Sequence, residues 1–287
     1  MSRGEADLST TQSGPVPAPL GSVLTGLLAA AHFGPTVAVT LVSALLAVAG
    51  DLSAGSVAVV VSAVFTGQLT IGWANDLIDA ERDRSVGRTD KPIASGRVPQ
   101  SLVQGALATA AVACVALSVA AGWRPALVHL GLVVAMGQAY NLGLKATVWS
   151  WVPYAVAFGS LPAVVSLAAD DPALAPWWLL AAGATLGVGA HLLNVLPDLD
   201  DDEQTGVRGL PHVLGARGSR LFAALLLGMA SLAAGLGPTG APSTLVLIGL
   251  GLAAVLLVVA VLGRGRLPFQ AAMVLALLDV VLLVAAG

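Results

Sequence analysis

The stretch NDLIDAERDRSVGRTDKPIASG, Asn75 to Gly96, follows a long apolar segment, and its spacing recurs in NVLPDLDDDEQTGVRGLPHVLG, Asn194 to Gly215. Asn194 lies 119 positions after Asn75. That single offset carries Asn75, Leu77, Asp79, Asp83, Gly87, Pro92 and Gly96 onto Asn194, Leu196, Asp198, Asp202, Gly206, Pro211 and Gly215. Glu81 falls on Asp200, acid on acid. The Asn-Asp-Asp steps run i, i+4, i+8, so each set is predicted to line one face of a helix. Carboxylate clusters at the mouths of apolar helices are costly unless something cationic sits between them. Paired acidic clusters can hold magnesium ions and, through them, a diphosphate.

The rest of the chain sets these motifs in a membrane. Of 287 residues 57% are apolar and only 10% charged, and the mean hydropathy is +0.89. A soluble chain of this length carries far more charge. Apolar stretches long enough to cross a bilayer recur throughout. The predicted class is therefore all-α, a polytopic membrane protein. The single cysteine, Cys114, excludes an intrachain disulfide and reads as a small buried hydrophobe. Residues 1–19 are polar and carry both charge signs, which predicts a disordered tail rather than a cleaved signal peptide. Residues 20–287 then form one transmembrane domain.

Nine spans are expected, near 20–49, 54–75, 99–121, 124–144, 148–168, 176–197, 218–236, 241–262 and 268–286, several of them ended by Pro or Gly. Pro35, Pro153 and Pro162 fall inside spans and are expected to kink or shorten them. With nine spans, every basic residue except Arg124 lies on one face, which makes that face cytoplasmic. The N-terminus and both acidic motifs share it. Trp123, Trp177 and Trp178 belong to the opposite face as an interfacial belt. The motif offset carries the second span onto the sixth, which runs in the same direction. The expected architecture is two parallel pseudo-repeats around a central cavity.

Asp76, Asp79 and Asp83 project from one helix face, and Asp198, Asp201 and Asp202 are expected to do the same; these six are the candidate magnesium ligands. Magnesium usually takes one or two carboxylates and completes its shell with phosphate oxygens and water. Arg84, Arg88 and Lys91 follow the first motif and Arg208 the second, and guanidinium groups suit phosphate oxygens. Lys145 ends the fourth span, with Tyr140 and Asn141 about a turn away, and reads either as a marker of topology or as a contact for a leaving phosphate. Asn75, Asn194 and His191 continue the acidic faces into the membrane and are expected to face the cavity. Asp279 stands alone in LALLDVVLLVAAG and needs a partner or a proton. The sequence lacks a Walker-type phosphate loop and a Cys/His zinc cluster. The basic residues mark membrane ends, which argues against nucleic-acid binding.

These residues resemble the UbiA superfamily of intramembrane prenyltransferases. Its first signature, N-D-x-x-D-x-x-x-D, is matched by Asn75, Asp76, Asp79 and Asp83, and its second, D-x-x-x-D, by Asp198 and Asp202. The continuation ERDRSVGRTDKPIASGRV and the segment from Tyr140 to Lys145 are also similar to that family. The resemblance implies nine helices around a cavity open sideways to lipid, and magnesium ions that bind an isoprenoid diphosphate. Loss of diphosphate would leave an allylic carbocation, captured by an acceptor. It implies catalytic roles for Asp76, Asp79, Asp198, Lys145 and Tyr140. Diphosphate contacts would come from Asn75, Arg84, Arg88, Lys91, Asn141, His191, Asn194 and Arg208. The first span, AAHFGPTVAVT, lacks an arginine to pair with an acceptor carboxylate, so the expected acceptor is neutral and hydrophobic. Two alternatives stand beside prenyl transfer: a terpene cyclase on the same scaffold, which needs no acceptor, and a transporter.

Overall fold

The computed structural model describes residues 20–286, so the tail expected at 1–19 lies outside the described residues. Every element among them is helical. Six helices are long and apolar enough to cross a membrane, and a bent pair makes a seventh span. That pair is α1 (Leu20–Ala30) and α2 (Phe33–Ala49), meeting at 65° where one span was expected. Pro35 explains the break. It lacks the N–H that would bond the Ala31 carbonyl, and that oxygen instead accepts from Thr36 Oγ1 at 2.8 Å. His32, between the helices, takes a left-handed φ of 52°. Gly72 seats the break, because a Cβ there would lie 2.6 Å from the Ala31 carbonyl carbon.

Helix α3 (Ala54–Ser85) starts at Ser53, whose hydroxyl accepts from the Ser56 N–H at 3.2 Å, a cap worth about 1 kcal/mol. Its 32 residues extend roughly 48 Å at 1.5 Å per residue, well past a hydrocarbon core about 30 Å thick. The first acidic motif therefore rides on the helix itself rather than on the loop after it. Helix α4 (Gln100–Ala120) returns across the bilayer. The span expected at 124–144 is α5 (Trp123–Val128), a π-helical turn (His129–Val134) and α6 (Ala135–Asn141). The next is α7 (Val152–Ser166), only 15 residues long, with Pro153 in its first turn and Pro162 inside it. Then come α8 (Trp177–Val195), a 3-10 turn (Leu196–Asp198) and the short α9 (Leu199–Gln204). Helices α10 (Leu210–Leu236), α11 (Thr244–Leu262) and α12 (Leu267–Ala286) complete the bundle. Inside α10 the backbone breaks at Gly215, so its long straight part begins close to the expected 218.

Helix α8 is central. Leu192 and Leu193 are fully buried in one cluster with Leu227 of α10 and Leu275 of α12. Its glycines bring α7 close, for a Cβ on Gly187 would lie 2.6 Å from the Tyr154 carbonyl oxygen, the small-residue contact that membrane helices use. Trp123 and Trp177 are exposed, as a belt requires, whereas Trp178 is half-buried and packs on Gly237.

The repeat read from the sequence is a repeat of backbone geometry. Both motif helices end in the same cap: the Arg88 N–H bonds the Asp83 carbonyl at 2.9 Å, and the Val207 N–H bonds that of Asp202 at 2.8 Å. Gly87 and Gly206 donate to Arg84 and Glu203, each at 3.2 Å. This is the Schellman pattern, which needs a left-handed residue at its turn. Gly87 and Gly206 supply it at φ 71° and 79°, and the matched pair Gly96 and Gly215 stands at 72° and 67°. A Cβ at Gly87, Gly206 or Gly105 in α4 would meet open space. Changing Gly87 or Gly206 to Ala should therefore cost about 1–2 kcal/mol from backbone strain alone, equally at both caps. Gly105→Ala, in a helix interior, should be neutral or stabilising by up to about 1 kcal/mol. Thermal unfolding of the three variants in detergent checks this; equal behaviour of all three contradicts it.

Candidate functional site

A cavity of about 250 Å³ opens where the two motif ends meet, bounded by α2, α3, α6, α7, α8 and the segment from Val207 to His212. Its mouth is charged and its interior is apolar, with Ile71, Val133 and Leu161 among its walls. The acids of the first motif are buried on one face of α3: Asp76 is 1% exposed, Asp79 5% and Asp83 2%. Asn75 ties them to the wall. Its side-chain amide donates to Asp79 at 3.2 Å and to Asn141 Oδ1 at 3.1 Å, and Asn141 in turn donates to the Ile71 carbonyl at 2.9 Å.

Cations stitch the two motifs together. Arg82 reaches Asp79 at 3.2 Å, Asp83 at 3.8 Å and Asp202 of the second motif at 3.8 Å. Arg88 reaches Asp198 at 3.1 Å and Asp201 at 3.6 Å, and also binds Asp90 through two nitrogens. That fork holds the Asp90 carboxyl down at about 2 and raises the Arg88 guanidinium further above its usual range. Lys91 lies 3.4 Å from Asp76, and Lys145 donates to Asp79. Burial pushes the Lys145 ammonium down, and the Asp79 charge opposes that push.

The structure corrects several expected positions. Arg84 is exposed and outside the cavity lining. One residue beyond Asp83, it is turned about 100° off the acidic face, while Arg82, three after Asp79, lies on it. Arg208 is likewise outside, 67% exposed and paired with Glu203. The Asp201 carboxylate lies outside the cavity lining and pairs with Arg88, whereas Asp198 and Asp202 line the cavity. Across the 3-10 turn Leu196–Asp198, Asp198 and Asp202 carry on the cavity-facing row of His191 and Asn194 on α8. Asp76 is buried behind the lining, with Lys91 between it and the cavity. Asn75, Tyr140, Asn141, Lys145 and Asn194 all line the cavity, as expected.

His191 lines the cavity, as expected, and is also a brace. Its Nε2 lies 3.0 Å from Ser150 Oγ, which also accepts the Leu210 N–H at 2.9 Å. The imidazole stacks on Tyr154 at 4.6 Å between centroids and meets Tyr140 edge-on at 5.6 Å, and Tyr154 stacks on Phe158. These rings line the wall below the charged mouth. Arg82, His32 and His212 also line the cavity and were not picked out in advance. Only Arg82 carried a sequence signal, its i+3 spacing from Asp79.

The donor set suits magnesium better than a metal with an all-protein cage. Among the described residues, no group of three or more His, Cys, Asp or Glu converges to hold a metal ion. The carboxylates approach the cavity singly and in pairs, and magnesium uses few protein oxygens and completes its shell with phosphate. Oδ2 of Asp83 is buried without a hydrogen-bond partner, a cost that a cation removes.

The UbiA prenyltransferase family model matches residues 36–284. The chain is 28% identical over 166 residues to a 4-hydroxybenzoate octaprenyltransferase of Pseudoalteromonas atlantica, the match covering 57% of this chain and 58% of that one. It is 30% identical over 188 residues to the bacteriochlorophyll synthase 33 kDa chain of Cereibacter sphaeroides, covering 61% and 60%. The chain thus spans about three fifths of these curated relatives. Among solved structures, a UbiA homologue from Aeropyrum pernix K1 matches with a TM-score of 0.71 at 19% identity, over 86% of this chain and 95% of that one. A UbiA homologue from Archaeoglobus fulgidus bound to GPP and Mg2+ matches with a TM-score of 0.65 at 15% identity, over 90% and 99%. The chain belongs to the UbiA prenyltransferase family, and is an integral membrane protein.

The brace gives a test independent of activity. Ser150→Ala leaves the Leu210 N–H and His191 Nε2 unpaired, which should cost about 1–3 kcal/mol. Thermal unfolding in detergent reads it, and an unchanged melting temperature contradicts the brace.

Proposed function

We propose that this chain transfers a prenyl group from an isoprenoid diphosphate to a neutral hydrophobic acceptor inside the membrane, with magnesium. The observation that carries the reading is Arg82, which joins Asp79 and Asp83 to Asp202 at the mouth of one apolar cavity. An acid-lined mouth above an apolar wall fits a molecule with a diphosphate head and a hydrocarbon tail. In this reading Asp79, Asp83, Asp198 and Asp202 hold magnesium at the mouth, and Asp76 supports it from behind. Magnesium, when bound, supplies positive charge that lowers the barrier to diphosphate departure. Arg82, Arg88, Lys91 and Lys145 take the phosphate oxygens as bond-breaking puts negative charge on them. Asn75 and Asn141 fix Asp79 in place.

The bond between the allylic carbon and the diphosphate oxygen breaks, and its electron pair leaves with the diphosphate. The acceptor supplies an electron pair to the allylic carbon and releases a proton. Tyr140, Tyr154 and Phe158 face the cation with their rings and keep water away from it. The same rings favour a second reading, in which the prenyl chain's own double bond captures the cation and a cyclic terpene forms. The acceptor is neutral because the mouth cations are already matched to acids, and a buried anion without a partner is disfavoured. The motif loops and the N-terminus face the cytoplasm, on the strength of the basic residues gathered at that end.

Purified protein incubated with C10, C15 and C20 prenyl diphosphates and membrane extract should give a prenylated neutral lipid by mass spectrometry. A cyclic hydrocarbon formed without extract selects the cyclase reading, and no diphosphate release at all overturns both. Asp79→Asn and Asp198→Asn should each slow turnover by about 100-fold or more; near-native turnover in both removes the two-motif site. With aromatic carboxylic acids and their neutral phenol analogues offered together, the phenol should be prenylated. Exclusive use of the acid overturns the acceptor assignment. Ser95, exposed in the first motif loop, tests topology: Ser95→Cys, in a Cys114→Ser background, should resist an impermeant thiol reagent added outside intact cells.

A further inference from the structure

A second cavity, about 50 Å³, lies deeper in the bundle, bounded by α2, α7, α8, α10 and α12. Phe158 and Leu161 line both cavities, so α7 is the wall between them. The remaining walls are apolar side chains such as Val42, Leu46 and Leu186, and Asp279 is the one side chain lining it with a polar atom. Asp279 is 6% exposed, and among the described residues the Ser231 hydroxyl of α10 is its polar neighbour, though its carboxyl oxygens form no hydrogen bond of ordinary geometry. That hydroxyl donates to the Leu227 carbonyl at 3.3 Å. Phe269, which lines the large cavity, precedes Asp279 by ten residues on α12, about 15 Å along the helix. The carboxyl is therefore remote from the charged mouth and takes no part in the chemistry there.

A polar group kept in such surroundings calls for a partner. Two acceptor oxygens among apolar walls, with no Lys, Arg or His lining the cavity, match a neutral hydrogen-bond donor on a small hydrocarbon body. The space suffices for more than one water, hence for a hydroxyl and a few carbons. We propose that this pocket is a second ligand site, within the membrane, which binds the hydroxyl of a small apolar alcohol through Asp279. The O–H donates to a carboxyl oxygen, and α2, α7 and α8 cover the hydrocarbon. This site does not depend on the prenyl-transfer reading.

The test uses the full chain in lipid nanodiscs and a five-carbon alcohol carrying a diazirine as photolabel. Adducts should map to peptides spanning 276–283 and 42–46 and should saturate. Pentan-1-ol should compete, whereas its isomer butyl methyl ether, which cannot donate, should compete about tenfold less well. Asp279→Leu, close in volume, should lose labelling about tenfold, while Asp279→Asn, which keeps an acceptor oxygen, should retain most of it. Asp279→Leu should also melt at or above the wild-type temperature, because it removes a buried polar group without a hydrogen bond of ordinary geometry, so loss of labelling in it is not loss of fold. Pentan-1-ol should raise the melting temperature of wild type and not of that variant. Labelling that does not saturate, equal competition by the ether, or wild-type labelling of Asp279→Leu overturns the proposal.

Discussion

Asp83 and Asp202 sit in the last turn of two helices, where the backbone's own field opposes a negative charge; Asp83 is buried there with Asp76 and Asp79, and Asp202 and Asp198 are half-buried opposite them. Such a cluster exists only if cations neutralise it, and this requirement organises the whole mouth of the cavity. Arg82 bridges the motifs, Arg88 spans the second motif and Asp90, Lys91 covers Asp76, and Lys145 reaches Asp79 from the 3-10 turn Leu144–Ala146 after α6. The same cations are the groups a diphosphate would engage, and the same acids are those magnesium would engage. A site built from matched opposite charges has room for a doubly charged metal and a highly charged head group together, with little change in net charge.

The fold serves that cluster. Two Schellman caps of the same geometry end the two motif helices, which is why one 119-residue offset aligns their glycines as well as their acids. Glycines then let backbones close around the cavity: Gly72 admits the break between α1 and α2, and Gly187 admits α7. The break at His32 brings that side chain to the cavity wall, where an unbroken first span would have carried it past.

Much of this was legible in the sequence. Apolar runs and Pro/Gly punctuation located the helical segments, of which six, or seven with the bent pair, are long and apolar enough to cross a membrane among the described residues, and periodicity put Asp76, Asp79 and Asp83 on one buried face. What was not legible depends on local winding and on distant contacts. Asp201 stands one residue before Asp202 and so about 100° round the helix from it, which leaves it outside the cavity where Asp198 and Asp202 line it. Arg84 and Arg82 differ by only two positions, and the choice between them rests on which lies on the acidic face. His191 does follow the cavity-facing row of the second motif, and what the sequence did not show is that Ser150, 41 positions away, holds its ring. The π-helical turn at His129 accompanies a contact with Ser118 on the preceding helix, which no local pattern announces. The 65° bend was half visible: Pro35 marked it, yet the rescue of the Ala31 carbonyl by Thr36 had to be seen in three dimensions.

The central claim is that the two acidic motifs act together, through magnesium, on one diphosphate. Calorimetric titration of the purified chain with non-cleavable prenyl thiolodiphosphates tests it without any assumption about the acceptor. The account predicts binding that tightens by about tenfold or more when magnesium replaces chelator, and loss of that gain in Asp79→Asn and in Asp202→Asn alike. Equal affinity in chelator and in magnesium, or a magnesium gain that survives removal of either motif's charge, would contradict it.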